Sequence, residues 1–154
     1  MAKGARGMMR SEFSSSKERM MAQTAKNMTI VDVDRPQTWT LFRRGLCDHC
    51  AAHCCTMPVE VRLADLVRLG WVDAFEAEHE APKQIAKRLI REGLIGHFNF
   101  RNSIYTLARR ASGDCQLLHD MTRRCTVYEQ RPDTCRKHPQ VGPRPGYCPY
   151  GRQR

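Results

Sequence analysis

Residues 47–55 read Cys-Asp-His-Cys-Ala-Ala-His-Cys-Cys, and half of the chain's eight cysteines lie in this short stretch. Thiols at this density are costly to leave free, because an exposed thiolate oxidises or captures metal. Two uses protect them, disulfide formation and metal ligation. The redox compartment of the protein decides between the two.

The first 46 residues carry no recognisable export signal. They contain no apolar run of the length found in secretory signal peptides, and no later stretch approaches the ~18 apolar residues of a membrane span. Acidic residues at Glu12 and Glu18 also argue against an organelle transit peptide. We therefore expect a cytoplasmic protein with no membrane partner, in which clustered cysteines bind metal or carry out redox chemistry.

The 154 residues are enough for one domain, preceded by an arm. Residues 1–28 have little apolar content beyond methionine and no sustained period, which predicts a flexible basic arm. Residues 29–154 then form the cysteine-cluster metal-binding domain. A core of that size can be self-sufficient, so a metal would lock the loops rather than replace the core.

The formal net charge of +10 is high for a chain of this length. A basic surface often binds a polyanion, but four thiolates around one divalent ion carry a net negative charge. We interpret the basic residues near the cysteines as offsetting that charge. Aromatic residues make up 7% of the chain, which disfavours single-stranded nucleic acid as a partner. The six basic residues are Arg43, Arg44, Arg123, Arg124, Arg136 and Lys137.

Apolar spacing predicts a helix over residues 59–70, a short acidic helix within 71–80, and a helix over 82–92. Gly70 is a natural stop for the first of these helices, and Pro82 suits the first position of the third. The side chains expected to face inward on the third helix are Ile85, Leu89 and Ile90.

Strand composition occurs in two places, residues 38–42 and 98–108, and the second reads as one or two strands. A turn at 111–114 leads to the next cysteine, and Pro132 can begin one helical turn that carries Cys135. The predicted fold class is α+β. We expect a small, irregular, metal-stabilised domain with two or three helices and a few short strands.

The spacing of Cys47 and Cys50 lets both sulfurs reach one metal from a tight loop. Cys54 or Cys55 can add a third ligand, but adjacent side chains point in opposite directions in an extended chain. Either one of the pair packs in the core, or there are two centres, or there is one multinuclear cluster. Further ligands must come from the C-terminal third of the chain, from Cys115, Cys125, Cys135 or Cys148.

Alternative interpretations of these residues remain open. Several cysteines could be buried, inert thiols, as free cysteines often are. His49, His53 and His138 lie close enough to cysteines in sequence to serve as ligands. No glycine-rich phosphate loop, serine elbow or His-Glu-x-x-His motif is present. The acidic side chains of the helix-like segments are interpreted as solvated: Glu60, Asp65 and Glu92.

Three motifs together resemble the YkgJ-like CxxCxxxCC cysteine-cluster family. The first is Cys47-x-x-Cys50-x-x-x-Cys54-Cys55, and the second is Gly113-x-Cys115-x-x-Leu118. The third begins at Cys125, reads Cys-x-Val-Tyr-Glu-x-Arg-Pro-x-x-Cys-Arg and is followed by Pro139. The resemblance spans residues 47–139 and leaves Cys148 outside the family's core pattern. At His138 the family more usually has an aromatic residue.

The resemblance implies a domain that chelates zinc or iron through the family's cysteines. We expect a zinc ion or an iron–sulfur cluster with a structural, redox or metal-sensing role, and all eight cysteines, Cys148 included, as candidate ligands. Tyr128, Arg131 and Arg136 are expected to hydrogen bond to loop carbonyls or metal-bound sulfur. An enzyme is the first alternative, either related to flagellin lysine N-methylases or a redox catalyst that uses the cluster. A nucleic-acid-binding zinc module is the second, and a protein partner is left open.

Overall fold

The computed structural model describes residues 31–151, so the predicted arm, residues 1–28, lies outside the described residues. The α+β class is confirmed, and the described part contains four α-helices rather than the expected two or three. None of these helices is long and apolar enough to cross a membrane. The helices are α1 (Leu63–Arg68), α2 (Ala74–His79), α3 (Pro82–Arg91) and α4 (Asp133–Lys137). The strands are β1 (Thr40–Leu41), β2 (Glu60–Val61), β3 (Ile95–Asn99), β4 (Ile104–Leu107) and β5 (Tyr147–Cys148).

A three-stranded antiparallel sheet in the order β2-β4-β3 forms the scaffold. The segment 98–108, predicted as one or two strands, contains the end of β3 and all of β4. Phe98 pairs with Tyr105 across this hairpin, and their rings pack with centroids 4.6 Å apart. Tyr105 is fully buried, so the hairpin supplies much of one wall of the core.

The predicted helix over residues 59–70 is partly wrong. Its first residues form β2, because Glu60 and Val61 pair with Thr106 and Tyr105 of β4. Val59 and Val61 are β-branched and buried, which suits a strand next to an available sheet edge. Only α1 is helical, and the chain leaves it near Gly70 at a φ of +72°.

Helix α3 packs against β3 and begins at Pro82, as the sequence predicted. Ile85 and Leu89 are fully buried, but Ile90 is 47% exposed, so its predicted inward orientation is wrong. Successive helical residues are rotated by about 100°, and the position after Leu89 therefore leaves the buried stripe.

Asp65 is buried at 5% exposure, although the sequence indicated a solvated position. Its carboxylate accepts hydrogen bonds from the main-chain N–H of Arg62 and of Asp133, each at 3.0 Å. The guanidinium of Arg68 donates to it at 2.8 Å. A carboxylate on α1 therefore holds the first residue of α4, which is 68 positions later in the chain.

A second, two-stranded sheet joins the two ends of the described chain. In it β1 and β5 are antiparallel, with Thr40 opposite Cys148 and Leu41 opposite Tyr147. The segment that leads to β5 has little regular structure beyond α4 and a 3₁₀ turn, Tyr128–Gln130. This sheet therefore fixes where the C-terminal segment returns to the first cysteine block.

Candidate metal centre

The first cysteine block is built from two 3₁₀ turns, Leu46–His49 and His53–Thr56. Each turn is preceded by a residue in the left-handed region, Gly45 at φ +83° and Ala52 at φ +57°. Glycine adopts this conformation without strain, whereas alanine adopts it at a cost. The two reversals wind the loop tightly, so that its four thiols are presented from the nine residues 47–55.

All eight cysteines are free, and seven of them are described below as two groups. The inner thiol group consists of Cys55, Cys115, Cys125 and Cys135. The outer thiol group consists of Cys47, Cys50 and Cys148. Cys54 precedes Cys55 in the chain and raises the pKa of the Cys55 thiol.

The inner thiol group lies against the hydrophobic core. The main-chain N–H of Cys115 donates to the carbonyl of Cys55 at 2.7 Å, which joins the first block to the C-terminal third. Cys125 reaches the same region through an isolated bridge to Leu118, a fully buried core residue. Cys115 belongs to the core itself, while Cys55 and Cys135 pack against it.

Helix α4 places Cys135 in the inner thiol group. Its first residue is held by Asp65, and the hydroxyl of Thr134 donates to the carbonyl of Glu60 in β2 at 2.8 Å. These two contacts hold the two residues that immediately precede Cys135. The orientation of this thiol is therefore set by α1 and β2, neither of which is near it in sequence.

The inner thiols raise one another's pKa. Burial and then the negative charges of Cys55, Cys115 and Cys125 raise the pKa of Cys135 to about 12. Burial is also the largest cause that raises the pKa of Cys115 and of Cys125. For Cys55 the pKa is raised first by the side-chain interaction with Cys54, which favours the protonated Cys55 thiol, and next by burial. Protonated thiols are therefore favoured at neutral pH, and a bound cation would replace their protons.

The outer thiol group forms where the two ends of the described chain meet. The main-chain N–H of Ala51 donates to the carbonyl of Gly151 at 2.6 Å, and β5 brings Cys148 beside β1. Burial and then the charges of Cys50 and Cys47 raise the pKa of Cys148 to about 11. The pKa of Cys47 is raised by burial and then by Cys50. These three thiols therefore influence one another's protonation.

Arg123 links the residue before Cys115 to the first cysteine block, a contact that the sequence did not predict. Its guanidinium binds both carboxylate oxygens of Asp114, at 2.8 and 2.9 Å, and donates to the carbonyl of Ala51 at 3.1 Å. Its charge lowers the pKa of Cys55. Of the six basic residues predicted to offset thiolate charge, Arg123 thus acts on a thiol. Arg110, which was not among the six, acts on Cys115.

Tyr128, Arg131 and Arg136 form one hydrogen-bonded loop. The guanidinium of Arg131 stacks 3.6 Å from the Tyr128 ring centroid and donates to the Tyr128 carbonyl at 2.8 Å. Arg136 donates to the Arg131 carbonyl at 2.8 Å. These bonds to carbonyls are of the kind the sequence predicted, while contact with metal-bound sulfur stays a prediction. The charge of Arg131 lowers the pKa of three thiols, those of Cys47, Cys125 and Cys135.

Two histidines lie close to the C-terminal segment. The ring of His53 occupies the space where a Cβ on Gly151 would lie. His138 follows α4, and its buried Nε2 has no hydrogen-bond partner within residues 31–151. Burial lowers the pKa of His138, which favours the neutral imidazole that metals bind. A buried nitrogen with no partner is unusual and requires an explanation.

The donor set fits zinc or iron in number and kind. Four thiols in the inner group match the ligands of a structural zinc site or an iron–sulfur cluster. Among the described side chains of Cys, His, Asp and Glu, no three already stand in an arrangement that would hold an ion. The neighbouring sulfurs must therefore move inward to bind one. Ligation by the eight cysteines stays a prediction.

An α+β domain with eight free thiols has the features of a cysteine-cluster metal-binding protein. The chain belongs to the CxxCxxCC family, described as "Putative zinc- or iron-chelating domain", which it matches over residues 46–149. This range confirms the resemblance and extends beyond residues 47–139 to include position 148, while the place of Cys148 relative to the family's core cysteine pattern stays a prediction. No curated protein and no solved structure matches the chain.

Proposed function

We propose that this protein chelates zinc or iron in the reducing cytoplasm, and that the bound metal is structural. It would hold the first cysteine block and the C-terminal third on the core formed by the sheet and α3. The observation that carries this proposal is the gathering of thiols from segments distant in sequence and poor in regular structure.

A structural role follows from where those thiols lie. The described residues beyond β4 form one short helix, one 3₁₀ turn and a two-residue strand. Such a segment has few main-chain hydrogen bonds of regular structure to hold it in place. A metal that joins Cys55 to Cys115, Cys125 and Cys135 would cross-link this segment to the core. Its binding free energy would then contribute directly to the free energy of folding.

The inner thiol group supports this role best. Cys55, Cys115, Cys125 and Cys135 would hold the metal, which when bound would supply the positive charge that their thiolates require. Arg123 and Arg131 keep the ligand loops in place and lower the pKa of nearby thiols. The long-range contacts of α4 orient the ligand that is last in sequence.

The proposal is tested by anaerobic purification of the full chain, followed by elemental analysis and absorption spectroscopy. We expect stoichiometric zinc in a colourless protein, or iron and sulfide with broad absorption near about 400 nm, the charge-transfer region of iron–sulfur clusters. A redox role requires in addition that the absorption bleaches reversibly on reduction.

The structural role is tested by removing the metal with a chelator under reducing conditions. We expect the melting temperature to fall by more than about 10 °C, because the binding free energy of a structural metal is several kcal/mol or more. Hydrogen exchange should rise most in residues 108–151. An unchanged melting temperature after complete metal removal would refute the structural role.

A further inference from the structure

An open groove lies between helix α3 and β3, the edge strand of the three-stranded sheet. Its apolar lining includes Ile90 on α3 and Phe100 just after β3, which are 47% and 64% exposed. The groove has a volume of about 240 Å³, below the roughly 300–1,000 Å³ of sites that hold small molecules. It therefore suits a side chain of a protein partner better than a small ligand.

Two lysines of α3, Lys83 and Lys87, line the same α3–β3 groove. The Lys83 ammonium lies 5.5 Å from the ring centroid of Phe100. Neither lysine has a carboxylate partner in the described part of the chain. By contrast, the guanidinium of Arg88, on another face of the helix, is bound by Glu76 at 2.8 Å. The groove is therefore both apolar and basic, and it matches an apolar side chain that has a carboxylate beside it.

Helix α2 of the same domain carries a surface of that kind. Phe75 is 71% exposed, and the ring of His79 stacks on it with centroids 4.2 Å apart. Glu78 is three residues after Phe75, on the same side of the helix, and is exposed. It has no basic partner within residues 31–151. Because Ala77 packs against the core, this face of α2 is directed to solvent.

A second copy of this chain would cover both surfaces at once. Helices α2 and α3 are separated by two residues and joined by the ion pair of Glu76 with Arg88, so each copy presents the two surfaces from one helix pair. A two-fold axis places each surface of one copy against the other surface of its partner. The segment 1–28 is a poorer occupant of the groove, because its excess of basic residues has the same sign as the lysines.

We propose that the domain forms a two-fold dimer in which Phe75 of each copy enters the α3–β3 groove of the other. Glu78 of each copy then faces Lys87 of the other, since Lys83 already lies over Phe100. The contact is small and partly ionic, so we expect reversible dimerisation that weakens as the salt concentration rises. This inference goes beyond the proposed function and does not depend on the bound metal.

The test is sedimentation velocity of the full chain from low micromolar to several hundred micromolar concentration, at low and high salt. We expect a monomer–dimer equilibrium. F75A, K87E and E78K should each weaken dimerisation at least about tenfold. R91E is the matched control, because Arg91 is an exposed residue of α3 outside the groove and the charge change is the same. It should dimerise as the unaltered chain does.

Mixing two variants separates a specific contact from a general effect of charge. K87E and E78K each place like charges at both contacts of their own dimer. In an equal mixture, each contact again joins a carboxylate to an ammonium, so dimerisation should return to the level of the unaltered chain. The melting temperature of each variant, compared with that of the unaltered chain, verifies that the losses do not come from unfolding.

Four results would overturn the inference. A chain that stays monomeric throughout leaves the groove to a different partner. A dimer that F75A and K87E do not weaken uses another surface. Species larger than a dimer exclude the reciprocal pairing, and a mixture that does not recover dimerisation excludes the contact of Glu78 with Lys87. Metal content is measured separately, so none of these results affects the proposed function.

Discussion

Asp65 illustrates how one side chain can connect a helix to the thiol region. Its buried carboxylate accepts two main-chain N–H groups and one guanidinium, so its hydrogen-bonding capacity is well used. Buried charges are tolerated when they are paired and hydrogen bonded. Because one of the donors is the first residue of α4, the orientation of the thiol-bearing helix depends on this carboxylate.

We predict that D65N lowers the free energy of unfolding by about 3 kcal/mol, because an amide cannot replace a buried, charge-assisted acceptor of three donors. Denaturant unfolding of metal-loaded protein measures the change. D73N is the matched control. Asp73 is an exposed residue that caps α2 by accepting from the N–H of Glu76 at 2.7 Å, and asparagine caps equally well. Equal losses in the two variants would contradict the role assigned to Asp65.

The small sheet of β1 and β5 is the element that brings the C-terminal segment back to the first cysteine block. Two paired residues per strand are too few for independent stability, so side-chain contacts must assist. Arg144 supplies them. Its guanidinium donates to the carbonyls of Pro36 and Gln37, each at 3.0 Å, and stacks 3.6 Å from the Tyr147 ring centroid.

We predict that R144K loosens this sheet although the side chain at position 144 keeps its positive charge. Lysine lacks the planar group that stacks and donates along two directions. Amide exchange at Phe42, whose N–H donates to the Gly146 carbonyl at 2.9 Å, should be about tenfold faster, as expected for a loss of about 1.4 kcal/mol. Exchange within the β3–β4 hairpin should not change. R101K, at an exposed position beyond β3, is the control. Equal acceleration in both sheets would show that Arg144 acts globally.

Across the whole molecule, the thiols link stability to pH in opposite directions with and without metal. In the metal-free chain, folding raises thiol pKa values above 9.0, to about 12 for Cys135. That contribution to stability is complete below pH 9 and is lost as the pH rises through the folded pKa. With the proposed metal bound, the ligands would be deprotonated, so acidification would release the metal and the stability that it provides.

We therefore predict that the melting temperature of loaded protein falls as the pH is lowered from about 8 to about 5, because protons compete with the metal for thiolates. The melting temperature of the metal-free protein should change little in that range and fall above about pH 9. Thermal unfolding at constant ionic strength, with and without chelator, measures both slopes. A metal-free protein that becomes more stable between pH 9 and pH 11 would contradict the assigned pKa directions.

Local patterns predicted some of the fold correctly and missed contacts that depend on distant residues. Helix α3 was predicted because a proline suits its first turn and its buried stripe has helical spacing. Residues 60 and 61 were assigned to a helix because their strand partner, β4, lies more than forty residues later. Asp65 was interpreted as solvated because its donor from α4 is 68 positions away.

The amino-acid sequence by itself determined the chemistry of this protein. Its cysteine motifs place the chain in the CxxCxxCC family, described as "Putative zinc- or iron-chelating domain", since residue type and spacing are local properties of the chain. Only the tertiary structure decided which cysteine-bearing segments meet. The main chain of Cys55 is hydrogen bonded to Cys115, and β5, which carries Cys148, pairs with β1. The physical reason is that these contacts depend on how the sheets and the buried carboxylate of Asp65 arrange segments far apart in the chain.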